Sequence, residues 1–411
     1  MTAYLILVAA CAGLISLMAR SHEQHLVVWA LVMRLAMIAL AWSFFVPAGG
    51  TYVISTAFQT DDLKYYETGL AILDAGTLFF DPTALGIEVN PGFQYLVGAL
   101  FLLFGDVWLI PNGISFLAGL ALPVAVTRLA EASGHSRANS IAAGRFALLL
   151  PNLAFFSIVG YKDQLTLLVT TTLLLRLVLH KSTHRRVQNI ASIVVLGMAL
   201  GVLRIGILPL VVLTYGALVL RVRSWREVLA PLLLLLVSVL PFLAWLESSN
   251  YLDRFVVAEI AAKSGSESGL ALRVLSGGPE TWPLRALIFL VLPYPSLSGI
   301  ADAWQLYTWL NVGWYALLCA SLPGIGLLLK HYRESANRMV LLPLAWTGVV
   351  VLSLMVRGMP NARYVLMITP AMAILASYSL SSRRAMLTAF IIMGAAPIAM
   401  VSGYMLLQSV L

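Results

Sequence analysis

Apolar segments long enough, or nearly long enough, to cross a bilayer recur along the chain, and no soluble-looking block separates them. A spanning helix needs about 20 mostly apolar residues. Such segments occupy residues 3–19, 25–46, 107–128, 143–160, 164–180, 188–204, 205–220, 228–245, 304–329, 338–356, 364–380 and 385–407. Of the 411 residues, 60% are hydrophobic and 11% charged, against about 25% charged in a soluble domain. Mean hydropathy is +0.91. So much apolar surface cannot be buried in one water-borne core. The expected fold is all-α: a polytopic transmembrane helix bundle of about twelve spans, forming a single domain over 1–411.

Loop charge sets the expected orientation. The connections Arg20–His25, Arg128–Arg145, Lys181–Arg186, Arg221–Glu227, Lys330–Arg338 and Arg383–Arg384 hold 15 Lys and Arg against 4 Asp and Glu. The opposite connections and helix ends hold 9 and 14. Cytoplasmic loops accumulate Lys and Arg, so the first set is expected inside and both termini outside. The net charge of +8 is thereby explained without nucleic acid. Residues 91–104 are apolar enough to tempt a further span, but counting them would move the basic 128–145 loop outside. They are read as an interfacial or re-entrant helix on the outer face. Residues 284–298, broken by Pro293 and Pro295, stay on that side too. Two large outer loops result, 47–106 and 246–303, expected to cover an active site.

Several function classes lose support. The cytoplasmic loops are too short for a nucleotide-binding domain, and no Gly-x-x-x-x-Gly-Lys pattern occurs. The six histidines fall in or beside basic loops with no Cys at zinc spacing. His180 and His184, flanked by Lys181, Arg185 and Arg186, read as a solvated basic end. Cys11 and Cys319 lie in apolar segments and read as packing residues. The N-terminus shows no basic leader or small-residue cleavage site, so residues 3–19 read as a retained helix.

Charged residues on the outer side are the candidates for chemistry. Asp61 and Asp62 stand just beyond the second span, at the start of a helical pattern in which Leu63, Tyr66, Leu70 and Leu73 share a face. Capping, by Thr60 or Asp61, explains the pair simply. Adjacent carboxylates also raise one another's pKa, which suits one of them to act as a base, and they can hold Mg or Mn. Lys162 and Asp163 form the next outer feature, readable as an ion pair at a hairpin tip or as cavity residues. Arg204 lies at a similar level in an apolar stretch. It needs water or an anionic partner, either Asp163 or a phosphate, whose geometry guanidinium matches. Arg363 with Tyr364, and Arg357 before them, mark another outer boundary where snorkelling is the simpler reading. Lys263, Arg273 and Arg285 in the second loop can add to an anion site, and the stretch 264–269, SGSESG, can act as linker or closing loop. Arg34 falls mid-span and requires a buried partner or cavity. Arg176 is expected to snorkel.

Four stretches together resemble the GT-C glycosyltransferases that use polyprenyl-phosphate-linked sugars, including protein O-mannosyltransferases and aminoarabinose transferases. They are Asp61-Asp62-Leu-Lys-Tyr65…Gly69, Asn90-Pro91-Gly-Phe-Gln-Tyr95…Leu103-Phe104-Gly105-Asp106, the span descending to Arg128, and Ala362-Arg363-Tyr364…Ile368-Thr-Pro370-Ala. The resemblance implies that Asp61 or Asp62 is the general base, with Asp61 matching the family's leading acid. It implies that Lys162, Arg204 and Arg363, aided by Tyr65, Asp163 and Tyr364, contact the lipid-borne donor and its phosphate. The chain departs from the pattern at Asn90-Pro91, where many relatives carry Pro-Pro or Lys-Pro, and it has an extra N-terminal span. No large soluble C-terminal domain is visible, so acceptor recognition is expected from the loops.

The expected activity is inverting sugar transfer from a polyprenyl phosphate to an acceptor hydroxyl on the extracytoplasmic face. The acceptor would be a cell-envelope glycan, a lipid or a protein, and the membrane a bacterial inner membrane. A divalent cation is optional in that scheme. Two other classes stand beside it. A polymerase or ligase acting on undecaprenyl-linked glycans would depend less on Asp61 and Asp62. A transporter or lipid flippase would show inverted repeats and mid-membrane charge, and of these only Arg34 is present.

Overall fold

The computed structural model describes residues 1–45, 61–78, 91–180, 186–219, 281–283, 285–286, 310–335, 337–357, 365–380 and 382–388. Every element among them is helical. We number the helices α1 (Thr2–Met18), α2 (Gln24–Phe45), α3 (Asp61–Ala75), α4 (Gly92–Phe104), α5 (Ile110–Ala132), α6 (Arg137–Leu149), α7 (Pro151–Phe156), α8 (Asp163–Leu179), α9 (Arg186–Arg204), α10 (Leu208–Val219), α11 (Val312–Ser335), α12 (Leu342–Arg357) and α13 (Val365–Ser379).

Among the described residues, four apolar stretches are long enough to cross a membrane: Ile110–Ala132, Val187–Leu218, Val312–Glu334 and Arg338–Met355. Shorter apolar helices accompany them, α1 and α13 among them. The segments 228–245 and 385–407 fall wholly or mostly outside the described residues. One expected span is divided, and a second break falls at the expected boundary between 188–204 and 205–220. Pro151 splits 143–160 into α6 and α7, because the residue before proline avoids helical geometry; Leu150 is extended, with φ −68° and ψ 113°. The stretch 187–218 is interrupted at Arg204, whose φ −164° and ψ 81° leave the helix before the 3-10 turn Ile205–Ile207.

The basic connections gather at one end of the bundle. Arg128 Nη2 lies 2.7 Å from Glu23 Oε2, and the backbone N–H of Arg20 donates to the same carboxylate at 2.9 Å. Arg20 also pairs with Glu131. The Asn337 amide donates to Ser133 O, His331 Nε2 approaches Gly134 O, and His135 pairs with the Tyr378 hydroxyl. The loops at 20–25, 128–137 and 331–338 and the end of α13 are therefore neighbours, as charge counting grouped them. His180 corrects one expectation: it is buried rather than solvated.

The opposite end joins the start of α1, the start of α5, the turn before α8 and the α3–α4 pair. Tyr4 donates its hydroxyl to Ile110 O at 2.9 Å. Asn112 and Ser115 of α5 donate to the carbonyls of Ile158 and Tyr161 at 2.8 and 2.7 Å. Both ends of α4 lie here. Gly92 sits against Val202, two residues before the break at Arg204, and Phe104 meets the Tyr4 ring edge-on at 5.7 Å. With 13 residues, α4 is about 20 Å long.

Without water there is no hydrophobic force between helices, so close backbone approach carries much of the packing. A Cβ at Gly98 would overlap Ile72, and one at Gly324 would overlap the Leu375 carbonyl. These glycines let α4 lie against α3 and α11 against α13.

Candidate functional site

The site is built where three helices start or stop. The first turn of α3 brings Tyr65 to the end of the bundle, 3% exposed. Its ring packs edge-on against Phe93 of α4, centroids 4.8 Å apart. Lys162, the residue before α8, places Nζ 6.0 Å from the Tyr65 ring centre, within range of a cation–π attraction. Asp163 opens α8, where a carboxylate is favoured by the helix dipole. Its Oδ1 accepts from Arg204 Nη1 at 2.7 Å. The α9 helix ends at Arg204, which lets the guanidinium reach the first turn of the neighbouring α8. Asp163 is 2% and Arg204 14% exposed, so the pair sits in a poorly screened setting.

The α3–α4 pair forms the remaining wall. Tyr65, Thr68, Gly69 and Ile72 are the buried positions of α3, with Tyr66, Leu70 and Leu73 partly buried against the core. The helical period expected from the sequence is present, and the most buried positions lie about one residue, roughly 100°, from the face shared by Tyr66, Leu70 and Leu73. The inward side is set by the α4 surface at Val97, Gly98 and Phe101, which the period of α3 does not encode. Tyr66 donates to Asp106 Oδ1 at 2.8 Å, tying α3 to the turn between α4 and α5.

Four of the expected site residues therefore meet at one end of the bundle: Tyr65, Lys162, Asp163 and Arg204. Asp61 and Asp62 are the first two residues of α3, three and four positions before Tyr65; their side chains lie outside the described set. Arg363 and Tyr364 lie outside the described residues. Among the described residues no group of three or more His, Cys, Asp or Glu could hold a metal ion. Sequence reasoning missed Phe93, which backs Tyr65, and Gln164, which follows Asp163 and is fully buried. A polar residue at the second position of an apolar helix was the available signal. Arg285, expected as a possible anion ligand, is buried and donates to Met355 O at 2.8 Å.

No protein-family model matches the sequence, and no curated protein matches it. The fold does have solved neighbours. In architecture this chain is similar to an archaeal oligosaccharyltransferase. One such structure is AglB from Archaeoglobus fulgidus in complex with an inhibitory peptide and a dolichol-phosphate, with a TM-score of 0.54 and 13% identity over 88% of this chain. A second is the apo form of the Archaeoglobus fulgidus oligosaccharyltransferase, with a TM-score of 0.51 and 14% identity. This chain covers 50% of either neighbour, so it spans about half their length. At such identity the similarity is one of fold.

Proposed function

We propose that this protein is a membrane glycosyltransferase that moves a sugar from a polyprenyl-phosphate donor to an acceptor hydroxyl at the extracytoplasmic face. The observation that carries the reading is the convergence of the α3 start, Lys162 and the Asp163–Arg204 pair at the bundle end opposite the basic loops. Positive-inside charge assigns that end to the outer side. The donor phosphate would lie near Lys162 and Arg204, with Arg363 completing the cation set. Asp61, or its neighbour Asp62, would take the proton from the acceptor hydroxyl as it attacks the anomeric carbon. The bond from that carbon to the phosphate oxygen breaks with inversion, and the lipid phosphate leaves as an anion. Fixed guanidinium and ammonium groups stabilise the charge that develops there. The neighbour solved with a dolichol-phosphate and a peptide supports the lipid-phosphate half of the scheme. The acceptor is a glycan, lipid or protein of the cell envelope, and the loops 47–106 and 246–303 would close over it.

Asp61→Asn, Asp62→Asn and the double variant, assayed with a synthetic lipid-phosphate sugar in nanodiscs, test the reading. At least one single variant should lose transfer by about 100-fold or more, the usual reach of general-base catalysis. Full transfer by all three would remove the base assignment. Loss of transfer on chelation and its return with Mg or Mn would reveal a divalent cation on the same pair.

A further inference from the structure

The N-terminal helix α1 has one buried side chain, Tyr4. Its other residues are partly or fully exposed, Leu5, Ile6, Leu14, Leu17 and Met18 among them. Tyr4 is 2% exposed and reaches the corner between α4 and α5. Its hydroxyl donates to Ile110 O, the first carbonyl of α5, at 2.9 Å. Its ring meets Phe104, the last residue of α4, edge-on at 5.7 Å. The hydroxyl fits because residue 113 is glycine; a Cβ there would overlap it. A buried tyrosine hydroxyl needs such a partner. One side chain of α1 therefore grips both sides of the corner 105–109.

The corner has its own hold on α3. Gly105, at φ 75°, turns the chain out of α4 in a conformation that favours glycine. Asp106 follows it and accepts from the Tyr66 hydroxyl at 2.8 Å. The Tyr66 ring packs edge-on against Phe101, in the last turn of α4, with centroids 5.5 Å apart. Tyr66 adjoins Tyr65, whose ring lies 6.0 Å from Lys162 Nζ, and Asp61 and Asp62 stand about one turn earlier on the same helix. A continuous set of contacts thus runs from α1, through the 105–109 corner, to the start of α3. Close-packed interiors pass on such displacements rather than absorb them.

We propose that Tyr4 is a positioning residue: through the α4–α5 corner it fixes where the start of α3 stands. It touches no reacting group. Its effect on α3 stands on these contacts alone. Its effect on transfer rests on the sugar-transfer reading, because it runs through Asp61, Asp62 and Tyr65. The additional N-terminal span thereby acts on the outer-end site without lining it.

Hydrogen–deuterium exchange of the full chain in lipid nanodiscs tests the coupling, and transfer kinetics test its consequence. Tyr4→Phe keeps the ring and loses the hydroxyl, so exchange across α3 should rise about fivefold, within the range one hydrogen bond spans. Tyr4→Ala should raise it about tenfold or more, with exchange over 128–137, at the basic end, unchanged. Tyr66→Phe should also speed α3, and the double variant Tyr4→Phe with Tyr66→Phe should add little to the larger single effect, because both cut one set of contacts. Transfer should lose kcat while KM for the lipid-phosphate sugar stays at its wild-type value. Leu14→Ala, on the exposed side of α1, should change neither measurement. Wild-type exchange across α3 in both Tyr4 variants, a rise spread evenly over every helix, or single effects that multiply in the double variant would each overturn the coupling; if Tyr4→Ala does not fold, Tyr4→Phe decides. Faster α3 exchange with full kcat would overturn the link to transfer. A wild-type chain that transfers no sugar would remove the sugar-transfer reading and leave the exchange comparison to decide the role of Tyr4.

Discussion

Arg204 Nη1 and Asp163 Oδ1, 2.7 Å apart, join the last residue of one helix to the first residue of another and fix the floor of the candidate site. Neither end alone would hold its geometry, because each charge is mostly removed from water and depends on the other.

Removing one member should therefore cost far more than removing both. Arg204→Met leaves the Asp163 carboxylate buried and unpaired, a loss of about 3–5 kcal/mol. The double variant Asp163→Asn with Arg204→Met should recover most of it. Unfolding of the four members of this cycle in nanodiscs gives the coupling directly.

The α3–α4 contact should be equally intolerant of bulk. Gly98→Val places methyl groups where Ile72 already sits, for an expected loss of about 1–3 kcal/mol from overpacking. Because α3 carries Tyr65 and begins with Asp61, transfer activity should fall further than stability. Equal stability and activity for Gly98→Val and wild type would contradict the role given to this contact.

At the basic end, burial pushes the Glu23 carboxyl up, but the Arg128 guanidinium and the Arg20 N–H outweigh it and hold the group below its ordinary value of 4.5. The folded protein thus binds the Glu23 proton less readily than the unfolded chain. The resulting stability is complete above the unfolded pKa and is lost as pH falls through the lower folded one. Glu23→Gln should lack this acid-sensitive component, so its melting temperature should fall less steeply than that of wild type below pH 4.5.

His135 acts over a higher window. Burial, and secondarily the neighbouring His331, push it down from 6.5 to about 4, and its ring nitrogen bonds to Tyr378. Between pH 6.5 and 4 the unfolded chain takes up a proton that the folded protein resists, so stability declines as pH falls through that interval. His135→Asn should flatten the decline there while leaving the Glu23-dependent loss at lower pH. Melting curves at half-unit pH steps separate the two windows.

Much of the framework was readable from the chain. Loop charge grouped 20–25, 128–145 and 330–338 correctly because short connections between spans must alternate ends, and each carries its own sign. The same bookkeeping read residues 91–104 as something other than a span, and α4 has 13 residues. The break at Pro151 was missed, although proline chemistry announces it. The buried side of α3 was not readable, because periodicity gives the interval between residues on a face, while the partner surface decides which face turns inward. Arg204 had two candidate anionic partners in the sequence; the ion pair with Asp163 is the one the fold makes.

By itself, the sequence determined that this protein is helical and membrane-embedded, and which loops share a side. Those properties follow from hydropathy and charge, which are local and additive. Only the tertiary structure decided that Tyr65, Lys162, Asp163 and Arg204 become neighbours while Arg34 is left with half its guanidinium unmatched. Which side chains meet depends on how helices far apart in sequence approach and rotate, and that is fixed by packing at small residues such as Gly98 and Gly119 rather than by any pattern within one segment.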